Sequence, residues 1–492
     1  MQFTRRFVAL IVALVAANVS AHAELKPAAI FGDNMVLQQQ MVVPVWGWAA
    51  PNAEVKVTFA GQTKKAHADA NGKWLVKLGK LKASFTPESL VIAADETKTF
   101  TNVLVGEVWL GSGQSNMEKP IGKQPGQKPT FNAEAELAAA ANYPNIRIFK
   151  IEKALSAVPL MDLGANSGWL ACSSNSLDEI HFSAAAYFFS REIHTNLNVP
   201  VGLVESSWGG TRIEPWTPPA GFEKVASQKK FAGTTLNANK LSNTQPTAIY
   251  NAMIAPITGF ALRGALWYQG ESNLMGTNAN NDYLEYADKM AALVGGWRQI
   301  WREGDFPFYF VQIAPFNYYS GKVHRVNSPE MLPEFWTLQS KAARQIKHTG
   351  MVVTTDLVDD LKDIHPRDKA TVGHRLALLA LDETYDKEVE SSGPIFAKAK
   401  FKEGKAILKF DEADGGLISK DSQALTWFTI AGADGKFVPA EAKIVGETVE
   451  VSAATIAKPA MVRFAWHETA QPNLCNAAGL PAAPFRTDAP VK

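Results

Sequence analysis

Three regimes of hydrophobic patterning divide the chain. From 24 to 104, short runs alternate apolar and polar positions: "VVPVWGWA", "AEVKVTFAG", "KWLVKLGKL" and "SLVIAA". Turn residues punctuate them at Pro51-Asn52, Gly61 and Asn71-Gly72, the last a hairpin signal. A period of two over short segments predicts a small β-sandwich. From 105 to 390, apolar runs of strand length appear at "VWL", "IRIFKI", "VPVGLVES", "ALRGALWYQ", "FPFYFVQIA" and "GMVVTTD". Stretches with helical spacing separate them: "FSAAAYFFSREIH", with Ser183 as its N-cap, "DYLEYADKMAALVGGWRQIWR", "EFWTLQSKAARQIKH" and "DKATVGHRLALLALDETY". Strands alternating with helices predict an α/β domain built on a doubly wound parallel sheet. Segments 118–142 and 217–250 lack clear periodicity and are expected to be long loops or lids. From 391 to 492 the alternating pattern returns in "IFAKAKF", "KAILKFD", "LTWFTIAG" and "MVRFAWH", predicting a second β domain with an irregular tail.

The first 23 residues differ from all of this. Arg5 and Arg6 precede an apolar run from Phe7 to Val19, and Ala21-His22-Ala23 is a small-x-small site. This is the pattern of a secretory signal peptide cleaved after Ala23. The apolar run falls short of the roughly 20 residues a membrane span needs, so no integral membrane segment is expected after cleavage. Lys+Arg 49 against Asp+Glu 48 leaves a formal charge of +1, which argues against nucleic acid or an anionic membrane as main partner. Cys172 and Cys475 are the only cysteines. An exported protein could pair them, and two buried thiols are the equal alternative. Metal binding is not expected without further ligands at coordinating spacing.

Four polar segments follow four of the apolar runs. "GSGQSN" presents Ser115 among small residues after the first run of the α/β region. "SSWGGTRIEPW" supplies the backbone amides of Gly209 and Gly210, groups able to stabilise an oxyanion. "WYQGESN" brings the Gln269 amide and the Glu271 carboxylate. "DLVDDLKDIHPRDK" places His365 before Pro366 at a loop-to-helix junction, among Asp356, Asp359, Asp360 and Asp363. Any one of them reads equally well as a turn, a solvated loop or a surface ion pair. In parallel sheets, however, ligands bind beyond the carboxyl ends of the strands, so all four would open on one edge. Together they supply a hydroxyl, amide donors, an imidazole and a carboxylate, the components of nucleophilic ester hydrolysis.

"GQSN", "SSWGGTRIEPW", "WYQGESN" and "DIHPRDK" resemble the sequence blocks of the SGNH-hydrolase superfamily, and more narrowly those of the sialate O-acetylesterase family of carbohydrate esterases. "IFGDNMVLQQ" and "NLCNAAGLPAAPFRTD" resemble the two ends of that family, so the likeness spans nearly the whole chain after residue 23. The resemblance implies an SGNH hydrolase domain over 105–390, flanked by β domains at 24–104 and 391–492. It implies an exported serine esterase that removes O-acetyl groups from a carbohydrate, without cofactor or metal. Ser115 would be the nucleophile and His365 the general base. The Ser115 amide, Gly210 (or Gly209) and the Gln269 side chain would form the oxyanion hole. The superfamily usually carries Asp three residues before the histidine. Here that position is Lys362 and Asp363 lies two before, so Asp363 is the first candidate for orienting His365, with Asp359, Asp360 and Glu271 as alternates. Gln269 and Ser272 stand where many members have Asn. Trp208, Arg212 and Glu271 are candidate substrate contacts. Arg212 could meet a sugar carboxylate or pair with Glu214 or Glu205. Sialic acid and acetylated plant glycans both remain open as substrates. A glycan-binding protein without hydrolysis and an esterase for longer acyl chains are the rival readings.

Overall fold

A computed structural model describes residues 24–275, 282–321, 325–413 and 415–488. Residues 1–23, expected from their pattern to be a signal peptide, lie outside the described residues. All six apolar runs of the α/β region form strands of one sheet. Their order is Ile146–Ile151, Val201–Ser207, Thr97–Gly113, Gly264–Tyr268, Phe308–Val311 and Thr349–Val352, each parallel to its neighbours. A further strand, Asn166–Ala171, adds antiparallel to the Ile146–Ile151 edge, so the sheet is mixed rather than purely parallel. Its sequence, "NSGWLA", carries no apolar run that would announce it.

Successive residues of each central strand enter different cores, as the pleat requires. Val108 and Leu110 pack in one apolar cluster, and Trp109 packs in the other. Trp267 and Phe310 join the first, while Leu266, Tyr268, Tyr309 and Val311 join the second. Helices cover both faces. Ala184–Leu197 and Lys369–Glu383 pack together over the Trp109 side. Tyr286–Trp301 and Met331–Gln345 pack over the other. Burial on both faces explains why these strands read as continuous apolar runs rather than alternating ones.

Helix starts follow local chemistry. Ser183 accepts the Ala186 amide at 3.2 Å and caps Ala184–Leu197 as expected. Lys369–Glu383 starts after Asp368, whose carboxylate takes the Thr371 amide at 2.9 Å. Pro366 therefore precedes the cap and does not sit in the first turn. The stretches without periodicity hold short helices, Ala133–Ala139 and Pro219–Lys224, among turns.

The strand Thr97–Gly113 runs unbroken through residue 104. Its first half pairs with Ser84–Ala93 and Val36–Gln38, and its second half lies at the centre of the main sheet. The amino-terminal β segments thus continue into the large sheet along one strand. Beside them, Lys26–Pro27, Val43–Trp48 and Lys73–Leu78 form a three-stranded sheet. Residues 395–486 build two four-stranded antiparallel sheets and a strand pair around a separate apolar core. Both cysteines are buried free thiols. Burial pushes the Cys172 thiol up to about 12 and the Cys475 thiol up to about 11. Among the described residues, no helix is long and apolar enough to cross a membrane.

Candidate active site

Three neighbouring strands deliver three of the polar segments to one edge. Gly113 is paired with Ser207 on one side and Tyr268 on the other. Beyond this rung the backbones stay linked: Gln114 N donates to Tyr268 O at 2.9 Å, and Trp208 N donates to Gly113 O at 3.0 Å. Gly113 has φ +140, and a Cβ on it would lie 2.2 Å from Tyr268 O. Only glycine fits there, and it lets the chain turn sharply into the single helical turn Ser115–Glu118. From 103 to 122 every residue is buried except Ser115. The turn therefore offers one side chain to the outside.

The fourth segment reaches that side chain from the far end of the sheet. His365 Nε2 lies 2.9 Å from Ser115 Oγ. Of the acids near His365, Asp363 stands against the ring. Its Oδ1 accepts the His365 backbone amide at 2.9 Å and lies 3.6 Å from Nδ1. Asp356 is engaged by Arg375 and Lys420, and Asp360 pairs with Lys128. Burial and the nearby Lys369 ammonium hold the imidazole down to about 4, with Asp363 opposing them. A neutral imidazole beside a hydroxyl can take its proton.

The remaining candidates divide by exposure. Gly210, at φ +76, is exposed with open space around it. A Cβ on Gly209 would lie 3.2 Å from the Ser115 Cβ, but the Gly209 amide donates to Glu118 Oε2 at 2.7 Å. Glu118 also pairs with Lys153 at 2.5 Å. Gln269 is fully buried. Its Nε2 donates to Asn273 Oδ1 at 2.8 Å and to Gln114 Oε1 and Thr211 O at 3.1 Å, and Tyr286 OH donates to its Oε1. Gln114 Oε1 also accepts the Gly270 and Ser272 amides. The side chain before Ser115 thereby fastens the third segment.

Arg212 pairs with Glu214 at 3.1 Å and with Asp282, both shared with the buried Lys289. Of the two partners considered from sequence, Glu214 is the one engaged. Trp208 is half-buried beside Gly209, whereas Trp216, Trp267 and Tyr268 belong to the core. Glu271 is buried, and Asn116 Nδ2 donates to its Oε1 at 2.6 Å. Asn116 Oδ1 accepts the Lys369 ammonium at 2.8 Å. Burial pushes the Lys369 ammonium down to about 7 and raises the Glu271 carboxyl. Asn116, Glu118 and Lys369 are not among the residues the sequence motifs single out for chemistry. The first two sit within four residues of Ser115, and Lys369 is a lysine on an otherwise apolar helix face. That position was the available signal.

Comparison with known proteins gives the family of the chain. A family model described as "Carbohydrate esterase, sialic acid-specific acetylesterase" matches residues 105–382. Human sialate O-acetylesterase is 32% identical over 426 residues, covering 80% of this chain and 77% of the human protein. The rat sialate O-acetylesterase is 31% identical, covering 79% of this chain and 80% of its own. The crystal structure of a carbohydrate acetylesterase from Xanthomonas citri superposes with a TM-score of 0.84 at 35% identity, covering 95% of this chain and 100% of that one. The protein is a carboxylic-ester hydrolase. Within that class it belongs to the carbohydrate esterase family of sialic acid-specific acetylesterases.

Proposed function

We propose that the protein is an exported serine esterase that removes O-acetyl groups from a carbohydrate, acetylated sialic acid or an acetylated plant glycan, through an acetyl-enzyme. The observation that carries this reading is the 2.9 Å approach of His365 Nε2 to Ser115 Oγ. In the first step Oγ attacks the acetyl carbonyl carbon while its proton passes to Nε2. The tetrahedral oxyanion then collapses, the C–O bond to the sugar breaks, and the imidazolium returns the proton to the leaving hydroxyl. Water repeats the sequence on the acetyl group, releasing acetate and free Ser115.

Asp363 is the positioning residue for His365 in this reading. It holds the backbone amide of that residue and faces Nδ1. Oxyanion donors come from the Ser115 amide, at a helix start without an intrahelical acceptor, and from Gly210, the Gly209 amide being held by Glu118. Gln269, its donors engaged by Gln114, Thr211 and Asn273, supports the hole by fixing the third segment. The half-buried Trp208 offers a face to a sugar ring. Arg212 shapes the rim through Glu214 and Asp282, and Glu271 acts from behind Asn116. Export rests on the pattern of residues 1–23, with a periplasmic or extracellular destination.

The test is acetate release from a panel of O-acetylated sialic acids, acetylated xylo-oligosaccharides and longer-chain acyl esters. Release from at least one acetylated sugar, falling with acyl length, is the expected outcome. Sugar binding without release of any acyl group overturns the reading.

A further inference from the structure

Behind the reactive pair lies a buried polar chain that takes no part in the proton transfers. Asn116 follows the nucleophile, and its Nδ2 donates to Ile364 O at 3.0 Å, in the residue before His365. One side-chain amide thus joins the turn holding Ser115 to the segment holding His365. The same Nδ2 donates to Glu271 Oε1, and Oδ1 accepts from Lys369 Nζ. Lys369 is fully buried in the first turn of its helix, and its ammonium lies 5.0 Å from the centre of the Tyr268 ring. A buried ammonium is costly unless it is paired and hydrogen-bonded. A charged donor on Oδ1 and a carboxylate acceptor on Nδ2 fix which way the amide faces, because reversing it would set amide hydrogens against the ammonium.

We propose that Lys369 is a positioning residue of the esterase: its ammonium orients Asn116 so that this amide holds the Ser115 turn to the Ile364-His365 segment and sets the separation of the two reacting side chains. This rests on the Ser115–His365 reading and extends it to a residue that touches neither reacting atom. A looser pair is slower to transfer the proton, while the sugar-binding rim is unchanged. Loss of Lys369 therefore appears in kcat and leaves KM alone.

The experiment is a double-mutant cycle on acetyl-ester hydrolysis with Lys369→Met, Asn116→Leu and the double variant, each checked by circular dichroism, with Ser115→Ala in parallel. K369M is expected to lose about tenfold or more in kcat with KM within about twofold of wild type. The double variant is expected to be no slower than N116L, because the lysine acts through the asparagine. A folded K369M with kcat within twofold of wild type overturns the proposal. If K369M does not fold, the comparison of N116L with the double variant decides: a further tenfold loss overturns it, and equal rates support it. Turnover retained by S115A instead overturns the underlying assignment of the nucleophile, so the two failures are distinguishable.

Discussion

Gly113 and Tyr268 meet so closely that a Cβ on Gly113 would sit 2.2 Å from the Tyr268 carbonyl oxygen. The two strands that lead to the Ser115 turn and to the third polar segment are therefore locked in register just before the chain turns out at Ser115. Gly113→Ala forces a clash with backbone and places alanine at φ +140. The expected cost is about 2–4 kcal/mol in denaturant unfolding, with activity falling in step. A change below about 0.5 kcal/mol would mean that the strands can part without consequence.

The imidazole of His365, held down to about 4, is neutral across the physiological range. Activity that depends on it is expected to stay level from neutral pH to about pH 5 and to fall below that, with half the rate lost near pH 4. The sign for stability is the same. The folded value lies below the unfolded one of 6.5, so the contribution is present above pH 6.5 and is lost as pH falls through the folded value. A kcat/KM profile between pH 3.5 and 8 checks this, and an acid limb centred at 6.5 would contradict it.

Asp363 lies 3.6 Å from the ring nitrogen it faces, while its firm contact is with the backbone amide of His365. Asp363→Asn keeps an acceptor for that amide and removes the charge. The expected loss in kcat is about 10- to 100-fold, less than the roughly 10⁴-fold found where a carboxylate bonds the imidazole directly. Because Asp363 supports the protonated ring, the acid limb should also move to lower pH. A loss as large as that of His365→Ala would require a tighter contact during turnover.

Glu118 holds a carboxylate on the Gly209 amide, close to where the oxyanion would form. Glu118→Gln removes a like charge and leaves a weaker acceptor on that amide, so kcat is expected to rise several-fold. The change is on the order of 1 kcal/mol for a charge at such range in a partly solvated site. A tenfold fall in kcat would show instead that the Glu118–Lys153 pair supports the Ser115 turn.

Much of this arrangement is legible in the chain because strand and loop signals are local. Val108-Trp109-Leu110 and Phe308-Tyr309-Phe310 announce buried strands by composition alone, and the residues after each strand carry the chemistry. The antiparallel edge strand Asn166–Ala171 escapes notice because Asn166, Ser167 and Gly168 give no apolar period and pairing with Ile146–Ile151 decides its state. The roles of Glu118, Asn116 and Lys369 escape for a related reason. Each depends on a partner far along the chain, Gly209 for Glu118, Ile364 and Glu271 for Asn116, and Asn116 for Lys369, and no spacing rule connects them. Arg212 illustrates the converse. Its sequence position invites a substrate carboxylate, but folding brings Asp282 and Glu214 to it.

The proposed transfer is of the acetyl group to the Ser115 hydroxyl, activated by His365. It is tested most directly by acid-quenching the enzyme during turnover of an acetylated sugar and mapping the acetyl group by peptide mass spectrometry, alongside Ser115→Ala. An acetyl group is expected on the peptide containing Ser115 and none in the folded variant, which releases no acetate. Acetate release by S115A at a rate near that of wild type would contradict it.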